Sequence, residues 1–236
     1  IAEQLQTPVF VLSDLDLGMN QWMTKPFEYP DQPMQRGKVL WEEDLEKFKE
    51  KFGVEWGRYL DVDGDGVPYR TVPGNRKPGS AYFTRGTGHD EYARYSEDPE
   101  NWERMQARIK QKFETARGML PAPVIEKAEG EAKIGLIGFG TTDDAIREAR
   151  DQLAAAGIPA DYLRVRAIPF AEEVYDFIRS HERVYVVELN RDGQLHQLLT
   201  INLPEETGKM VSVAHLDGLP MTARWVREQI MEREAK

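Results

Sequence analysis

Two hydrophobic periods alternate along the second half of this 236-residue chain. Residues 133–138, 160–166, 183–189 and 209–215 are short apolar runs, which predict buried strands. Between and after them, residues 143–156, 169–180, 194–200 and 220–231 carry apolar positions at helical spacing. In the first of these helices Ile146, Ala149 and Leu153 point inward, and Gly157 supplies the stop. The third strand contains Val-Tyr-Val-Val, a run too apolar to face water. Strands alternating with helices in this way predict an α/β fold, with an open, mostly parallel sheet covered on both faces.

The first 120 residues read differently, being rich in Trp, Tyr, Pro and Gly. A short helix is predicted over 41–52, with Trp41, Leu45 and Phe48 on one face. A longer one opens at Asp98-Pro99, an N-cap followed by proline at the first helical position. Its apolar stripe is Trp102, Met105, Ile109, Phe113 and Ala116, and Gly118 ends it. Residues 121–131 read as a linker. Near the start, 1–6 read as the end of a helix, and 8–12 (Pro-Val-Phe-Val-Leu) as a buried strand. A single strand cannot form a sheet. The expectation is therefore that these first residues belong to a preceding α/β domain, or that the strand joins the edge of the later sheet.

Composition narrows the function. A formal charge of −10 argues against a nucleic-acid partner, because no net positive field collects phosphates. A small anion held by a few local arginines stays open. The chain has no cysteine, so it cannot by itself supply thiolates for catalysis, zinc or an iron–sulfur cluster. No apolar run approaches membrane-spanning length, so no membrane partner is expected and a cytoplasmic location is.

Chemistry concentrates in two loops, 60–74 and 79–91. Asp61, Asp63 and Asp65 stand at positions 1, 3 and 5 of a calcium-loop pattern, with Gly66 at the turn position. Position 12, normally glutamate, is Val72. Two readings follow: a partial cation site, or a tight turn whose carboxylates cap backbone N–H groups, the latter favoured. Arg70 lies between Pro68-Tyr69 and Pro73-Gly74, a stiff setting suited to capturing a carboxylate; the alternative is a salt bridge to Asp61, Asp63 or Asp65. Thr84, Arg85, Thr87 and His89 form the second polar loop, where Asp90 could orient the imidazole. No Ser or Cys nucleophile is evident for a hydrolytic triad. Gly138-Phe-Gly140-Thr-Thr-Asp143 is half a dinucleotide fingerprint, without its third glycine or an acid on the next strand. A structural turn, or a helix N-terminus facing another protein, fits it better than NAD. Glu188–Gln194, His215 and Asp217 fall at the carboxyl edge of the sheet, where ligands or ordinary turn chemistry are both expected.

Seven ordered segments carry a resemblance: SDLDLGMN (13–20), GRYLDVDGDGVPYRTVPG (57–74), AYFTRGTGHDE (81–91), KFETAR (112–117), RVRAIPF (164–170), VVELNRDGQL (186–195) and HLDGLP (215–220). Together the chain resembles the C-terminal part of the α subunit of 2-oxoacid:ferredoxin oxidoreductases, most nearly the 2-oxoglutarate branch. The resemblance implies a three-layer transketolase C-terminal-like domain over 121–236. It implies that 1–120 is an irregular α+β segment, the end of a pyrimidine-binding domain plus connecting loops and helix. The implied reaction is oxidative decarboxylation of a 2-oxoacid with coenzyme A, giving acyl-CoA, carbon dioxide and reduced ferredoxin. Thiamine diphosphate, Mg²⁺ and an iron–sulfur cluster would serve the intact complex, on the β subunit rather than here. By the same resemblance Arg70, with Thr84 and Thr87 in support, contacts the substrate, and the acid run has no assigned role in the reaction. The alternative is a flavodoxin-like module that docks a subunit or holds a small anion or cation without catalysis.

Overall fold

A computed structural model describes residues 1–235. The helices are α1 (Ala2–Leu5), α2 (Leu15–Met19), α3 (Glu42–Phe52), α4 (Pro99–Arg117), α5 (Thr142–Ala155), α6 (Glu172–Arg179), α7 (Gln194–Asn202) and α8 (Ala223–Glu234). The strands are β1 (Val124–Glu126), β2 (Ile134–Gly138), β3 (Ala160–Arg164), β4 (Arg183–Glu188) and β5 (Met210–Ala214). They divide between two compact units, one of residues 1–10 with 27–119, the other of 11–26 with 120–236.

The second unit is a five-stranded sheet in the order β1-β3-β2-β4-β5. β3, β2, β4 and β5 run parallel, and only β1 pairs antiparallel, through Ile125 opposite Leu163. Side chains alternate across the pleat, so each strand feeds two cores. Leu136, Tyr162, Tyr185, Val187 and Val213 face α5 and α8, meeting Ile146, Leu153, Val226 and Ile230. Ile137, Leu163, Val184 and Val186 face the other way, onto Val174, Phe177 and Ile178 of α6 and Leu195 and Leu199 of α7. The result is the three-layer α/β fold that the alternating periods predict. Gly135 leaves room for the α6 packing, since a Cβ there would sit 2.5 Å from the Phe177 ring.

In the first unit, α3 runs from a main-chain cap on Trp41, held by Asp44 at 3.0 Å, to Gly53 in the left-handed region. Its buried Phe48 packs on Phe52 and Tyr69. α4 starts as the sequence implies, with the Asp98 carboxylate capping the N–H groups of Glu100 and Asn101. Its inner face differs from the expected stripe. Met105 and Ala116 are buried, but Trp102 and Phe113 are half-exposed, and the buried Asn101 replaces them, donating to the main chain of His89. Strand content is slight: two isolated bridges, Val39 with Arg70 and His89 with Tyr95.

Of the two expectations for the start of the chain, one is not met: residues 8–12 do not join the edge of the later sheet. Residues 8–12 form no strand, and Phe10, Val11 and Leu12 are each more than four-fifths exposed. A strand needs a neighbour to take its N–H and C=O groups. This segment pairs with neither edge strand of the later sheet, since β1 is bonded to β3 and β5 to β4. Conversely, β1 arises inside 121–131, which the sequence marks as a linker.

Candidate functional site

The acidic loop of the first unit is built as a turn. Asp61 accepts from the N–H groups of Gly64 at 2.9 Å and Gly66 at 2.7 Å. Asp65 accepts from Val67 N at 2.9 Å, and its Oδ1 lies 2.7 Å from Lys38 Nζ. The Asp63 carboxylate meets the same ammonium at 2.7 Å. Burial opposes ionisation of Asp63, but the bond from Lys38 outweighs it and holds the carboxyl below its usual range. Lys38 moves up for the matching reason: burial works against its charge, and Asp63 and Asp65 prevail. The three carboxylates thus do not converge on a common point, and a lysine ammonium stands where a cation would be needed. Among the described residues, no group of three His, Cys, Asp or Glu side chains could hold a metal.

Gly66 ties this turn to α4. It lies at φ +77°, and a Cβ would come within 2.2 Å of Lys112 N and 2.6 Å of Arg108 O. The Arg108 guanidinium and the Thr115 hydroxyl then donate to the carbonyls of Gly66 and Asp65, at 3.0 and 2.7 Å.

Arg70 is not paired with any of the nearby acids. Its Nη2 donates to Glu3 at 2.5 Å and to the Arg36 carbonyl at 3.0 Å, while its buried Nε has no partner. α1 is held beside it by the Gln6 amide, which donates to the Pro68 carbonyl at 2.5 Å, and by Leu5, which packs with Val67 and Ala116. Thr84 lies 3.3 Å from the Tyr59 hydroxyl, and Thr87 is exposed. His89 stacks on Tyr59 at 3.9 Å, and its Nδ1 faces the main-chain oxygen of Asp90, not the carboxylate. That carboxylate caps the N–H groups of Tyr92 and Arg94. The imidazole-orienting pair considered from sequence is therefore not formed.

In the second unit the sheet's carboxyl edge is closed by side chains. Asp14 caps α2 by accepting from Leu17 N at 2.8 Å. Its other oxygen accepts from Thr141 Oγ1 at 2.7 Å and Thr141 N at 3.2 Å. A carboxylate of this same chain thus holds the loop after β2, where the half-fingerprint would cradle a phosphate. Burial opposes the Asp14 charge, yet these three donors keep its carboxyl below the ordinary range. Asp143 is fixed in turn by the Tyr162 hydroxyl at 2.8 Å and Arg164 at 3.0 Å. Glu188, fully buried at the end of β4, accepts from Leu195 N, His196 N and the Asn190 amide at 2.7, 3.0 and 2.6 Å. It caps α7, and Arg191 turns away to its neighbour Asp192. His215 lies 3.1 Å from Asp217 and packs on Trp225. Turn and capping chemistry accounts for this edge.

Sequence reasoning missed a buried cluster near the opposite edge. Asp161 takes Lys127 Nζ at 2.7 Å and Ala128 N at 2.8 Å, and lies 3.2 Å from His181 Nε2. Burial works against its charge, but these partners lower its pKa. The alternation of β3 puts a charged residue among apolar ones, which is the only signal the sequence offers.

The chain is similar to the α subunits of 2-oxoacid:ferredoxin oxidoreductases. The α subunit of 2-oxoacid:ferredoxin oxidoreductase 2 from Aeropyrum pernix is 29% identical over 226 residues, covering 93% of this chain and 33% of that protein. Its counterpart in oxidoreductase 1 of the same organism is 30% identical over 217 residues, covering 89% and 31%. Among solved structures, a 2-oxoglutarate:ferredoxin oxidoreductase from Magnetococcus marinus, with 2-oxoglutarate, coenzyme A and succinyl-CoA bound, aligns with a TM-score of 0.62. It is 26% identical and covers 75% of this chain and 31% of that one. The chain spans about a third of the length of the curated relatives it matches. No family model matches it. Among the described residues, no helix is long and apolar enough to cross a membrane.

Proposed function

We propose that this chain acts within the α component of a 2-oxoacid:ferredoxin oxidoreductase, with 2-oxoglutarate as the substrate. The assembled enzyme would convert the oxoacid and coenzyme A to succinyl-CoA, carbon dioxide and reduced ferredoxin. The observation that carries this reading is the similarity to such α subunits along 93% of the chain. The acyl-carbanion chemistry would be supplied by thiamine diphosphate. The Mg²⁺ and the iron–sulfur cluster are proposed to lie on a β subunit, as the resemblance implies. Residues 1–120 are proposed as the end of a pyrimidine-binding domain with its connection, and 121–236 as a transketolase C-terminal-like domain.

Within this reading Arg70 receives the substrate carboxylate. The guanidinium is rigidly placed, because its backbone bridges to Lys38 and Leu40. Its Nη2 already holds one carboxylate, that of Glu3, so a substrate anion would exchange with Glu3. Thr84 and Thr87 are the supporting hydroxyls. The test is steady-state kinetics of the enzyme assembled with its β subunit. Arg70→Ala should raise the KM for 2-oxoglutarate by about 10- to 100-fold, the loss of one charge-assisted bond. Unchanged KM and kcat would remove Arg70 from the site.

A further inference from the structure

One stretch of the first unit is left without partners: residues 27–34, Phe-Glu-Tyr-Pro-Asp-Gln-Pro-Met. All eight are exposed, Phe27, Tyr29 and Met34 at 84, 91 and 71%. They form no helix or strand, and no main-chain hydrogen bond holds them. Pro30 and Pro33 lock their own φ and bias Tyr29 and Gln32 toward extended backbone. Such a chain favours the polyproline form, with three residues per turn. Phe27, Pro30 and Pro33 then share one face, and Glu28 and Asp31 share the next. Among the described residues, neither acid has a cation within ion-pair distance.

The same unit carries a cavity of about 410 Å³ whose walls include Trp56, Tyr82 and Tyr95. Its charged lining is Arg58, Arg85 and Arg94; no carboxylate lines it, and neither does any residue of 27–34. None of the three guanidiniums has a carboxylate within ion-pair distance. Arg58 stands 4.9 Å from the Tyr59 ring centre and 5.5 Å from that of Tyr82. A guanidinium over a ring keeps its in-plane N–H donors free for an anion. The walls are preformed. Asp90 caps the N–H groups of Tyr92 and Arg94, and its own N–H donates to the Arg94 carbonyl at 2.8 Å. The Trp56 indole donates to the Tyr69 carbonyl at 3.1 Å. A site already rigid loses less freedom when it is filled.

We propose that this cavity receives residues 27–34 of a second copy of the chain, with Pro30 and Pro33 against the aromatic walls and Glu28 and Asp31 on the arginines. Grooves lined by aromatic side chains take P-x-x-P segments in this way, and Pro30-Asp-Gln-Pro33 has that spacing. Charge selects the occupant: the segment offers acids without cations, and the cavity offers cations without acids. Each copy carries both halves, so a symmetric pair exchanges two segments and closes. Two copies of formal charge −10 repel at long range, but salt screens that repulsion beyond about 8–10 Å, and the local contacts decide. The oxoacid reading uses none of these residues, so the failure of either leaves the other standing.

Sedimentation velocity of the 236-residue chain, across about 1 µM to 1 mM, reads the pairing. Fluorescence anisotropy of a labelled peptide of residues 25–34 reads the contact itself. The chain should pass from monomer to dimer, and excess peptide should return it to monomer. Glu28→Gln/Asp31→Asn and, separately, Arg85→Gln/Arg94→Gln should each weaken the dimer about tenfold or more with an unchanged circular dichroism spectrum. The peptide carrying Glu28→Gln/Asp31→Asn should bind the parent chain more weakly by the same factor, a comparison that needs no variant protein to fold. A chain with Glu28→Lys/Asp31→Lys and one with Arg85→Glu/Arg94→Glu should each stay monomeric alone and pair when mixed. A monomer throughout, a dimer that excess peptide leaves intact, or equal binding of the parent and substituted peptides would each overturn the proposal.

Discussion

Gly66→Ala is the substitution for which the structure gives the sharpest expectation. The residue sits at φ +77°, a region that costs an L-residue about 1–2 kcal/mol. The new methyl would also lie 2.2 Å from Lys112 N and 2.7 Å from Lys112 Cα. Both are backbone atoms of a regular helix, so the relief must come from moving the loop off α4, at about 1–3 kcal/mol for overpacking. The unfolded chain gives back about 0.4–1 kcal/mol through the lost freedom of glycine. The net loss is about 2–4 kcal/mol. Gly64→Ala is the matched control: its φ is +76°, but nothing lies within 4 Å of the added carbon. It should cost only about 1 kcal/mol. Urea unfolding followed by tryptophan fluorescence reports on this unit through Trp41, Trp56 and Trp102. With a slope of about 2 kcal/mol per molar, Gly66→Ala should move the midpoint down by about 1–2 M. Equal midpoints for the two variants would show that contact with α4 does not hold the turn.

Further expectations concern charge. Asp161 has a depressed folded pKa, so its contribution to stability is complete above the unfolded value of about 4 and is lost as pH falls through the folded one. Unfolding midpoints measured from pH 5 to pH 2 should fall less steeply for Asp161→Asn than for the parent. Asp63 obeys the same sign, with Lys38 as its partner, and Lys38→Met should flatten the same acid limb. Calcium or magnesium at millimolar concentration should leave the melting temperature unchanged, because the loop's carboxylates already have partners; a clear rise would restore the cation reading. Glu188→Gln should destabilise by about 1–3 kcal/mol in thermal denaturation, since an amide leaves one α7 N–H bond weakened or unmade.

How much was readable depended on the range of the interaction. The stripe Ile146, Ala149 and Leu153 is buried as the helical period requires, because a helix with one core face writes that face locally. The same holds for the Val-Tyr-Val-Val strand, whose residues divide between two cores. The run at 8–12 has equal apolar character but no neighbouring strand, and pairing is not a local property. β1 escaped notice because three residues directly after two prolines carry too short a pattern to register. In the first unit, where loops dominate, the helix at 99–117 was legible but its face was not, since Asn101 displaces an aromatic from the interior. At the candidate sites the residue types were visible and their partners were not. Arg70 found Glu3, 67 positions away, in place of acids five to nine residues distant. The turn geometry of Asp61 and Gly66 was legible because Asx-type capping acts within a few residues.

The bond between Asp14 and Thr141 joins groups 127 positions apart. Synthesis runs from the amino end, so residues 11–26 leave the ribosome long before the corner they will fasten exists. The N–H and hydroxyl of Thr141 therefore receive their acceptor from a stretch made well before them, and any cut in the intervening hundred-odd residues turns an intramolecular latch into a meeting of two molecules.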